Sequence, residues 1–339
     1  VKNHMILVMT LLRCLLFLSL TLVFVGARHL EERGIESEEE RAGKPTPPTT
    51  KPPKPTTKAV TRTSRKKFCL GTTTKPTSII TPTKPSTSKC ECGKAPVKPK
   101  IVGGTNVAEG EMPWQIGIGG GPLGTFCVFC GGALISADFA LSAAHCLENT
   151  DLSSLIFLGS VNRNSMKGQI VRMSKITQHE KYNKDTDEND IVLIRLAVSL
   201  TLSASVGPIC LPRSLKTETF AGKSMVLAGW GALETDGLDR PEILQKVTVV
   251  GLSNAECYYL HGDTRIKDGM LCARAPGKDS CDGDSGGPLI YTDKGVSYLA
   301  GIISFAQDCA HPDYPGVNTR VTYYLDWIDK QTGGPVCTK

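Results

Sequence analysis

The sequence predicts one all-β domain of about 240 residues that follows a long segment unable to build a hydrophobic core. Two observations lead to this prediction. From Ile101 onward, short apolar runs recur between Gly, Pro and Asp residues, whereas the residues before it are dominated by Lys, Thr and Pro. The chain has 339 residues, of which 40% are hydrophobic, so at least part of it is expected to be globular.

The apolar runs are predicted to be strands because they are short and rich in β-branched residues. The clearest are residues 131–135, 191–194, 224–228, 247–250 and 299–303. The C-terminal region differs, because its apolar residues have the spacing i, i+3, i+4, i+7 at Val321, Tyr324, Leu325 and Ile328. That spacing predicts one amphipathic helix that packs a single face on the body.

The N-terminus has the layout of a secretory signal. Arg13 precedes an apolar stretch at residues 14–25, small residues follow at 25–27, and Met5 is the expected initiator. We therefore predict a cleaved signal peptide at residues 1–27, with a membrane anchor as the alternative. The 13 cysteines favour the same oxidising, extracellular destination.

Residues 28–100 are predicted to be a pro-segment without a fold of its own. An acidic patch at residues 31–40 is followed by a Lys/Thr/Pro-rich linker at 43–100 that has 14 basic residues and one acidic residue. Such a composition cannot bury enough apolar surface to fold, so the linker is expected to be disordered or extended. It is interpreted either as a plain spacer or as a surface that docks on acidic polysaccharide.

The linker and the predicted domain have net charges of opposite sign. Residues 101–339 have 20 basic and 26 acidic groups, so the overall charge of +6 does not describe the folded part. A block of like charge without interleaved aromatic residues is more often a solvated tail than a nucleic-acid site. No nucleic-acid partner is expected.

The residue that follows Lys100 differs from the residue that follows six other lysines of the linker. Six lysines of the linker are followed directly by proline, which restricts the backbone and makes the bond a poor fit to a protease cleft, whereas Lys100 is followed by Ile101. Compositional bias explains the lysine–proline pairs equally well. On either interpretation the bond between Lys100 and Ile101 is among the more cleavable, together with those at residues 65–67.

The most specific motif is residues 279–288, Asp-Ser-Cys-Asp-Gly-Asp-Ser-Gly-Gly-Pro. Gly, Ser and Asp clusters usually mark turns, but a serine nucleophile needs a base and donors for the oxyanion, and both have candidates here. His145 ends an apolar run in Ser-Ala-Ala-His-Cys, and Asp190 opens the predicted strand at 191–194. A buried carboxylate can fix the imidazole tautomer while the imidazole accepts the proton of Ser285. The remaining histidines are predicted to be surface residues: His4, His29, His179, His261 and His311.

These three motifs, in this chain order, resemble the chymotrypsin/trypsin family of serine endopeptidases. The resemblance extends from Ile101 to about Gln331. It implies that His145 is the general base, Asp190 orients it and Ser285 is the nucleophile. The implied fold is two six-stranded antiparallel β-barrels with the active site between them and a C-terminal helix.

The resemblance also implies an oxyanion hole and a mode of activation. The hole would consist of the amides of Gly283 and Ser285. Cutting after Lys100 would free the α-amino group of Ile101, which would fold inward and pair with Asp284. The domain at 101–339 is therefore expected to be made as a zymogen and activated by another trypsin-like protease.

The resemblance places Asp279 at the base of the primary specificity pocket. A buried carboxylate there requires a cationic partner, which predicts hydrolysis after Arg or Lys. Ser304 would pair with the substrate backbone and Gly316 would line the opposite wall. The family usually has Trp, Gly and Tyr where this chain has Phe305, Ala306 and Asn318. The methyl group of Ala306 is expected to narrow the pocket and make the enzyme selective or slower.

The resemblance implies three disulfides within the body, namely Cys130–Cys146, Cys257–Cys272 and Cys281–Cys309. It further implies that Cys210 pairs with a pro-segment cysteine, Cys90 or Cys92. The pairing of the other cysteines is left open, and these include Cys69, Cys127 and Cys337.

No metal and no cofactor are expected. The calcium loop of the family would lie within residues 159–180, where Ser160 replaces the first expected glutamate.

Taken together, these residues predict a secreted serine endopeptidase that acts on protein substrates with Arg or Lys at the cleaved bond. The alternative is a catalytically weak or inactive homologue of this fold that serves as a binding or adaptor protein through its polybasic linker.

Overall fold

The computed structural model describes residues 91–94, 104–148, 152–233, 240–262, 266–275, 283–306 and 313–337. Within these residues the chain forms thirteen strands and two α-helices, with short 3-10 turns between them. The all-β class predicted from the short apolar runs is confirmed.

The first barrel is closed and consists of six antiparallel strands. A short strand, β1 (Thr105–Asn106), precedes it. Around the barrel the strands follow the order β2-β3-β4-β7-β6-β5, so β3 and β6 lie on opposite sides. Their bounds are β2 (Gln115–Gly120), β3 (Cys127–Leu134), β4 (Phe139–Ser142), β5 (Leu155–Leu158), β6 (Gln169–Gln178) and β7 (Val192–Leu196).

The second barrel follows in the chain and also has six antiparallel strands. They run β9-β10-β13-β12-β11-β8, and the pairing of β8 with β9 closes the ring. β1 adds to the edge of β9. The bounds are β8 (Ser224–Gly229), β9 (Gln245–Leu252), β10 (Met270–Arg274), β11 (Pro288–Asp293), β12 (Val296–Phe305) and β13 (Gly316–Arg320).

One hydrophobic core runs from the first barrel into the interface with the second. Trp230, which follows β8 of the second barrel, is buried and packs its indole ring 6.0 Å from the ring of Phe157 in β5. Its Nε1 donates to the carbonyl oxygen of Val161 at 2.8 Å, so the polar atom of this large side chain is satisfied. The two barrels therefore share packing, which fixes the cleft between them.

A short helix, α1 (Asn254–His261), lies outside the barrels and was not predicted. It begins with a capping box in which Ser253 and Glu256 each accept a hydrogen bond from the other residue's backbone N–H, and it ends at Gly262, which has a left-handed φ of 63°.

The C-terminal helix was predicted and is confirmed. It is α2 (Leu325–Thr332), and a 3-10 turn (Val321–Tyr324) provides the first part of the predicted apolar face. The four predicted core positions are buried. Asp329 of this helix accepts two hydrogen bonds from the guanidinium of Arg213, which ties the helix to the segment that connects the barrels.

The described part of the pro-segment is fastened to the second barrel. Cys92 forms a disulfide with Cys210, and the neighbouring Gly93 donates its N–H to Pro208 and accepts one from Ser297. Among the described residues, no helix is long and apolar enough to cross a membrane. The predicted signal at residues 1–27 lies outside them.

Candidate active site

Asp190 is a buried carboxylate whose oxygen atoms both accept hydrogen bonds. It lies just before β7 and is 1% exposed. Oδ1 accepts from the backbone N–H of His145 at 2.9 Å, and Oδ2 lies 2.7 Å from Nδ1 of His145. Ser304 donates its hydroxyl to Oδ2 at 2.6 Å, and Thr319 donates to the backbone carbonyl of Asp190 at 2.6 Å. The carboxylate is thus held from both barrels.

These partners decide the protonation state of Asp190. Burial by itself raises the pKa of this carboxyl, but the charge of His145 and the hydrogen bonds from His145 and Ser304 together lower the pKa below its ordinary value. Asp190 is therefore ionised at neutral pH, although it is almost inaccessible to water.

Asn189 fixes the backbone that leads into Asp190. It has a left-handed φ of 58°, which asparagine tolerates better than most residues. Its Nδ2 donates to the carbonyl of Lys181 at 2.9 Å, and its Oδ1 accepts from the hydroxyl of Tyr324 at 3.1 Å. Sequence reasoning missed this role of Tyr324 and recognised it only as part of a helix face.

His145 lies in a 3-10 turn (Ala144–Leu147) that follows β4, and its side chain is 11% exposed. The turn is held by the disulfide between Cys130 and Cys146 and by a hydrogen bond from Gln178 to the carbonyl of Ala144. Ligand atoms of Cys130, His145 and Cys146 lie within 4.8 Å of one another. Because both sulfur atoms belong to a disulfide, neither supplies the thiolate that a metal would need.

Ser285 lies between the two barrels and is partly exposed. Its carbonyl oxygen accepts from the N–H of Gly131 in β3 at 2.8 Å. The next residue, Gly286, donates to the carbonyl of Ile303 in β12, also at 2.8 Å. The structure therefore brings the predicted nucleophile to the same cleft as His145 and Asp190.

The predicted pocket walls lie on neighbouring strands. Ser304 and Phe305 end β12, Ala306 follows them, and Gly316 begins β13. Phe305 pairs with Val317 across a bulge in this pair of strands. Asp279, the predicted base of the pocket, lies outside the described residues.

His261 was predicted to be a surface residue, and that prediction is wrong. It is 9% exposed, and its Nε2 lies 2.9 Å from the carbonyl oxygen of Pro315. Its ring packs against Phe305 at 6.5 Å and Tyr314 at 5.8 Å, measured between ring centroids. The last residue of helix α1 is buried against Phe305 and Tyr314, which the local polarity of the sequence does not reveal.

His179 is partly buried rather than fully on the surface. Its ring lies 5.4 Å from that of Tyr324 and 5.2 Å from that of Trp327. Burial lowers the pKa of this imidazole below its ordinary value. Its position against α2 makes it a packing residue. The other predicted surface histidines, His4, His29 and His311, lie outside the described residues.

Comparison with known proteins identifies the family. The family model described as trypsin matches residues 101–328. The chain is 42% identical over 236 residues to Trypsin-1 of Astacus astacus, which covers 67% of this chain and 98% of that protein. It is 38% identical over 233 residues to Trypsin I-P1 of Gallus gallus, covering 68% of this chain and 88% of that protein.

The chain belongs to the trypsin family. It is accordingly a serine endopeptidase, a hydrolase of peptide bonds. The chain is also 39% identical over 252 residues to Transmembrane protease serine 9 of Rattus norvegicus, and these residues are 71% of this chain and 23% of that protein.

The disulfides of this trypsin-family chain include two that the resemblance implied. Cys130 pairs with Cys146, and Cys257 pairs with Cys272. The choice left open for Cys210 falls on Cys92. Cys127 and Cys337 are also disulfide-bonded. The implied pair Cys281–Cys309 and the cysteines Cys69 and Cys90 lie outside the described residues.

In the loop that the resemblance connects with calcium, Ser160 and Glu180 form hydrogen bonds with residues outside the loop. Ser160 donates its hydroxyl to Glu109 at 2.9 Å. At the other end of the loop, Glu180 accepts hydrogen bonds from the side chains of Trp327 and Gln331 in α2. The expectation that no calcium is bound stays a prediction.

Proposed function

We propose that this protease is secreted as a zymogen and, once cut after Lys100, hydrolyses peptide bonds after Arg or Lys through His145, Asp190 and Ser285. The observation that carries the proposal is the Asp190 carboxylate, both of whose oxygen atoms accept hydrogen bonds. Its Oδ2 lies 2.7 Å from Nδ1 of His145, in the cleft that also contains Ser285. Such a carboxylate has no evident purpose in packing, because burying a charge costs free energy unless it is paired.

In the proposed reaction, the Ser285 hydroxyl oxygen attacks the carbonyl carbon of the substrate. Nε2 of His145 accepts the hydroxyl proton and then gives it to the leaving amine as the peptide bond breaks. Asp190 keeps the proton of the neutral imidazole on Nδ1 and stabilises the imidazolium that forms. Water, activated in the same way, then hydrolyses the acyl-enzyme.

The oxyanion of the intermediate needs donors, and the amides of Gly283 and Ser285 are proposed for this role. Gly283 has a φ of 103°, a conformation that side chains oppose. A turn of this kind can direct the amides of Gly283 and Ser285 towards one point, which supports the proposal. Removing one donor of this kind typically lowers kcat by about 10²–10³-fold.

Specificity for Arg or Lys is proposed from Asp279, six residues before Ser285. A carboxylate at the base of a desolvated pocket favours a cationic side chain. Ser304, Phe305 and Ala306 form one proposed wall and Gly316 the other. The methyl group of Ala306 is expected to narrow the entrance, so we propose a selective or slow enzyme within this specificity class.

Activation is proposed to act through Asp284. Its Oδ1 accepts a hydrogen bond from the N–H of Gly231 at 2.7 Å, and a methyl group on either Gly229 or Gly231 would overlap its carboxylate. The carboxylate is therefore seated in a niche made of glycine backbone. The freed ammonium of Ile101 would enter as its charge partner and hold the neighbouring oxyanion donors in place.

The test is to cut the purified protein after Lys100 and measure amidase activity on chromogenic substrates with Arg, Lys, Phe or Ala before the cleaved bond. We expect Arg and Lys substrates to be hydrolysed, and Lys100→Gln, which cannot be cut at this bond, to stay nearly inactive. Preference for Phe or Ala would refute the specificity. Activity that survives Ser285→Ala would refute the mechanism.

A second experiment tests the proposed activation through Asp284 separately. Asp284→Asn in the cut protein should leave the fold intact by circular dichroism but abolish most activity. Full activity of this variant would contradict the proposed ion pair with Ile101. The uncut form of the same variant, measured in parallel, is the matched control.

The pro-segment is proposed to stay attached after activation, because the disulfide joins Cys92 on the N-terminal side of the cut to Cys210 on its C-terminal side. Non-reducing electrophoresis of the cut protein should show one species, and reduction should release the N-terminal fragment. Release without reductant would contradict this.

A polysaccharide partner for the linker also remains a proposal, tested by heparin chromatography. Salt-sensitive retention that disappears when residues 43–89 are deleted would support docking. Unchanged retention after this deletion would leave the linker as a spacer.

A further inference from the structure

Arg240 lies against the loop that carries the proposed oxyanion donors. Its Nη1 donates to the carbonyl oxygen of Val128 in β3 at 2.5 Å. A Cβ placed on Gly283 would lie 3.0 Å from Nη1 and 3.1 Å from Cζ of Arg240. The guanidinium therefore occupies the space beside Gly283 that a side chain on that residue would need.

The surroundings of Ser285 define which part of a substrate would meet Arg240. On one side Ser285 is bonded to β3 through Gly131, and on the other its neighbour Gly286 is bonded to β12 through Ile303. The proposed specificity pocket is built on the β12 side. A polypeptide whose Arg or Lys enters that pocket must continue past Ser285 towards β3, where Arg240 is bound.

A second arginine fixes the backbone around Arg240. The guanidinium of Arg163 donates to the carbonyl oxygens of Pro241 at 3.1 Å, Arg240 at 3.1 Å and Phe126 at 3.2 Å. The backbone N–H of Arg163 also donates to the carbonyl of Glu242 at 3.0 Å. The segment that bears Arg240 and the residue just before β3 are thus held by one planar group.

An arginine in the cleft of an Arg-cleaving enzyme would itself be a cleavage site. Here Arg240 is followed by Pro241. Proline restricts the backbone on both sides of the bond and has no amide hydrogen, which makes the bond a poor substrate. The sequence therefore retains a cation at this place while protecting the loop against self-cleavage.

From these contacts we infer that Arg240 is a specificity-determining residue that selects protein substrates with Asp or Glu one or two residues after the cleaved bond. A guanidinium binds carboxylates through charge-assisted hydrogen bonds in a fixed planar geometry, and a partly buried cleft screens them less than open solvent. The inference rests on the proposed function, because it takes the direction of the substrate from the proposed pocket.

The experiment measures kcat/KM for pairs of internally quenched peptides that contain one Arg and differ only in Glu or Gln at the first or second residue after it. We expect the active protease to favour Glu by about fivefold at one of these positions, as for a half-exposed ion pair. Arg240→Gln should reduce the ratio to about one, and Arg240→Glu should reverse it in favour of the Gln peptide. Raising the salt concentration should shrink the preference of the unaltered enzyme.

Arg172→Gln is the matched control, because Arg172 is exposed on β6, across the first barrel from β3. It should keep the preference for Glu. Comparing ratios within each variant cancels changes that slow all substrates equally. A preference retained in Arg240→Gln, or absent from the unaltered enzyme, would overturn the inference, and equal slowing of both peptides with an unchanged ratio would point to oxyanion support instead.

The two proposals fail in different ways. If the cut protein hydrolyses no peptide, the proposed function fails, and the same peptide pairs are then tested for binding to Ser285→Ala by fluorescence anisotropy. Tighter binding of the Glu peptide that disappears in Ser285→Ala with Arg240→Gln would support the site without catalysis. Equal binding of both peptides would overturn it.

Discussion

Two charged groups, Asp190 and Arg163, each make hydrogen bonds to several segments of the chain. Asp190 binds the side chains of His145 and Ser304, groups that can give or take a proton. Arg163 binds three backbone carbonyls, which do neither. The difference teaches that one network can take part in chemistry, whereas the other can only set the shape of the cleft.

The largest effect is expected from breaking the reactive network at Asp190. Asp190→Asn keeps the size of the side chain, but its amide cannot hold His145 in the required tautomer. We expect kcat to fall about 10⁴-fold, the size known for this change in this class of enzyme, with the fold intact. Steady-state kinetics and circular dichroism check this, and a loss below tenfold would argue against the assigned role.

A smaller effect is expected from Ser304→Ala, which removes one hydrogen bond to the same carboxylate. The bond involves a charged acceptor, so we expect kcat to fall about tenfold. The Asp190 and His145 contacts would remain. Unchanged kcat would show that Ser304 only fills space.

Ser304→Ala also makes a prediction about pH. Because the pKa of Asp190 is lowered in the folded state, the stability it contributes is present above its ordinary pKa and is lost as pH falls through the folded value. Removing the bond from Ser304 raises the folded pKa towards the ordinary value. The destabilisation should therefore be largest near neutral pH and shrink in acid, which urea unfolding of a Ser285→Ala background between about pH 7 and pH 3 measures. A destabilisation that grows in acid would contradict this.

Loss of the hydrogen bonds of Arg163 should affect stability more than catalysis. Arg163→Met leaves three partly buried carbonyls without their donor, at a cost of about 1–3 kcal/mol, and should lower the melting temperature by several degrees. We expect Arg163→Met to weaken the preference for Glu that Arg240 provides. The kcat on substrates without an amino-acid residue after the cleaved bond should change little. A loss of kcat as large as that of Asp190→Asn would show that the two networks are not separable.

The same difference explains what could be predicted from the sequence. His145 and Asp190 were found because their partners are side chains of particular types, and such pairs leave motifs. Arg163 and Arg240 were missed because they bind carbonyl oxygens, and every residue has one. No residue type marks the acceptor.

In the fold, the five predicted strands were recognised by their short length and β-branched residues, and the C-terminal helix by the spacing of its apolar residues. Helix α1 was missed, although the spacing of Ser253 and Glu256 is that of a capping box. The error at His261 follows from this omission, because His261 is the last residue of the helix, and its ring packs against Phe305 and Tyr314. The pairing of Cys210 with Cys92 is accompanied by hydrogen bonds of the neighbouring Gly93 with Pro208 and Ser297, which spacing along the chain cannot reveal.

The most direct test of the account is the labelling of the active serine by a fluorophosphonate, in which the serine oxygen displaces fluoride from phosphorus and His145 accepts the proton. We predict that mass spectrometry will find the label on Ser285 of the protein cut after Lys100, formed at least about 100-fold faster than in Lys100→Gln or in cut Asp190→Asn. Label on another residue, or equal rates in all three proteins, would contradict the account.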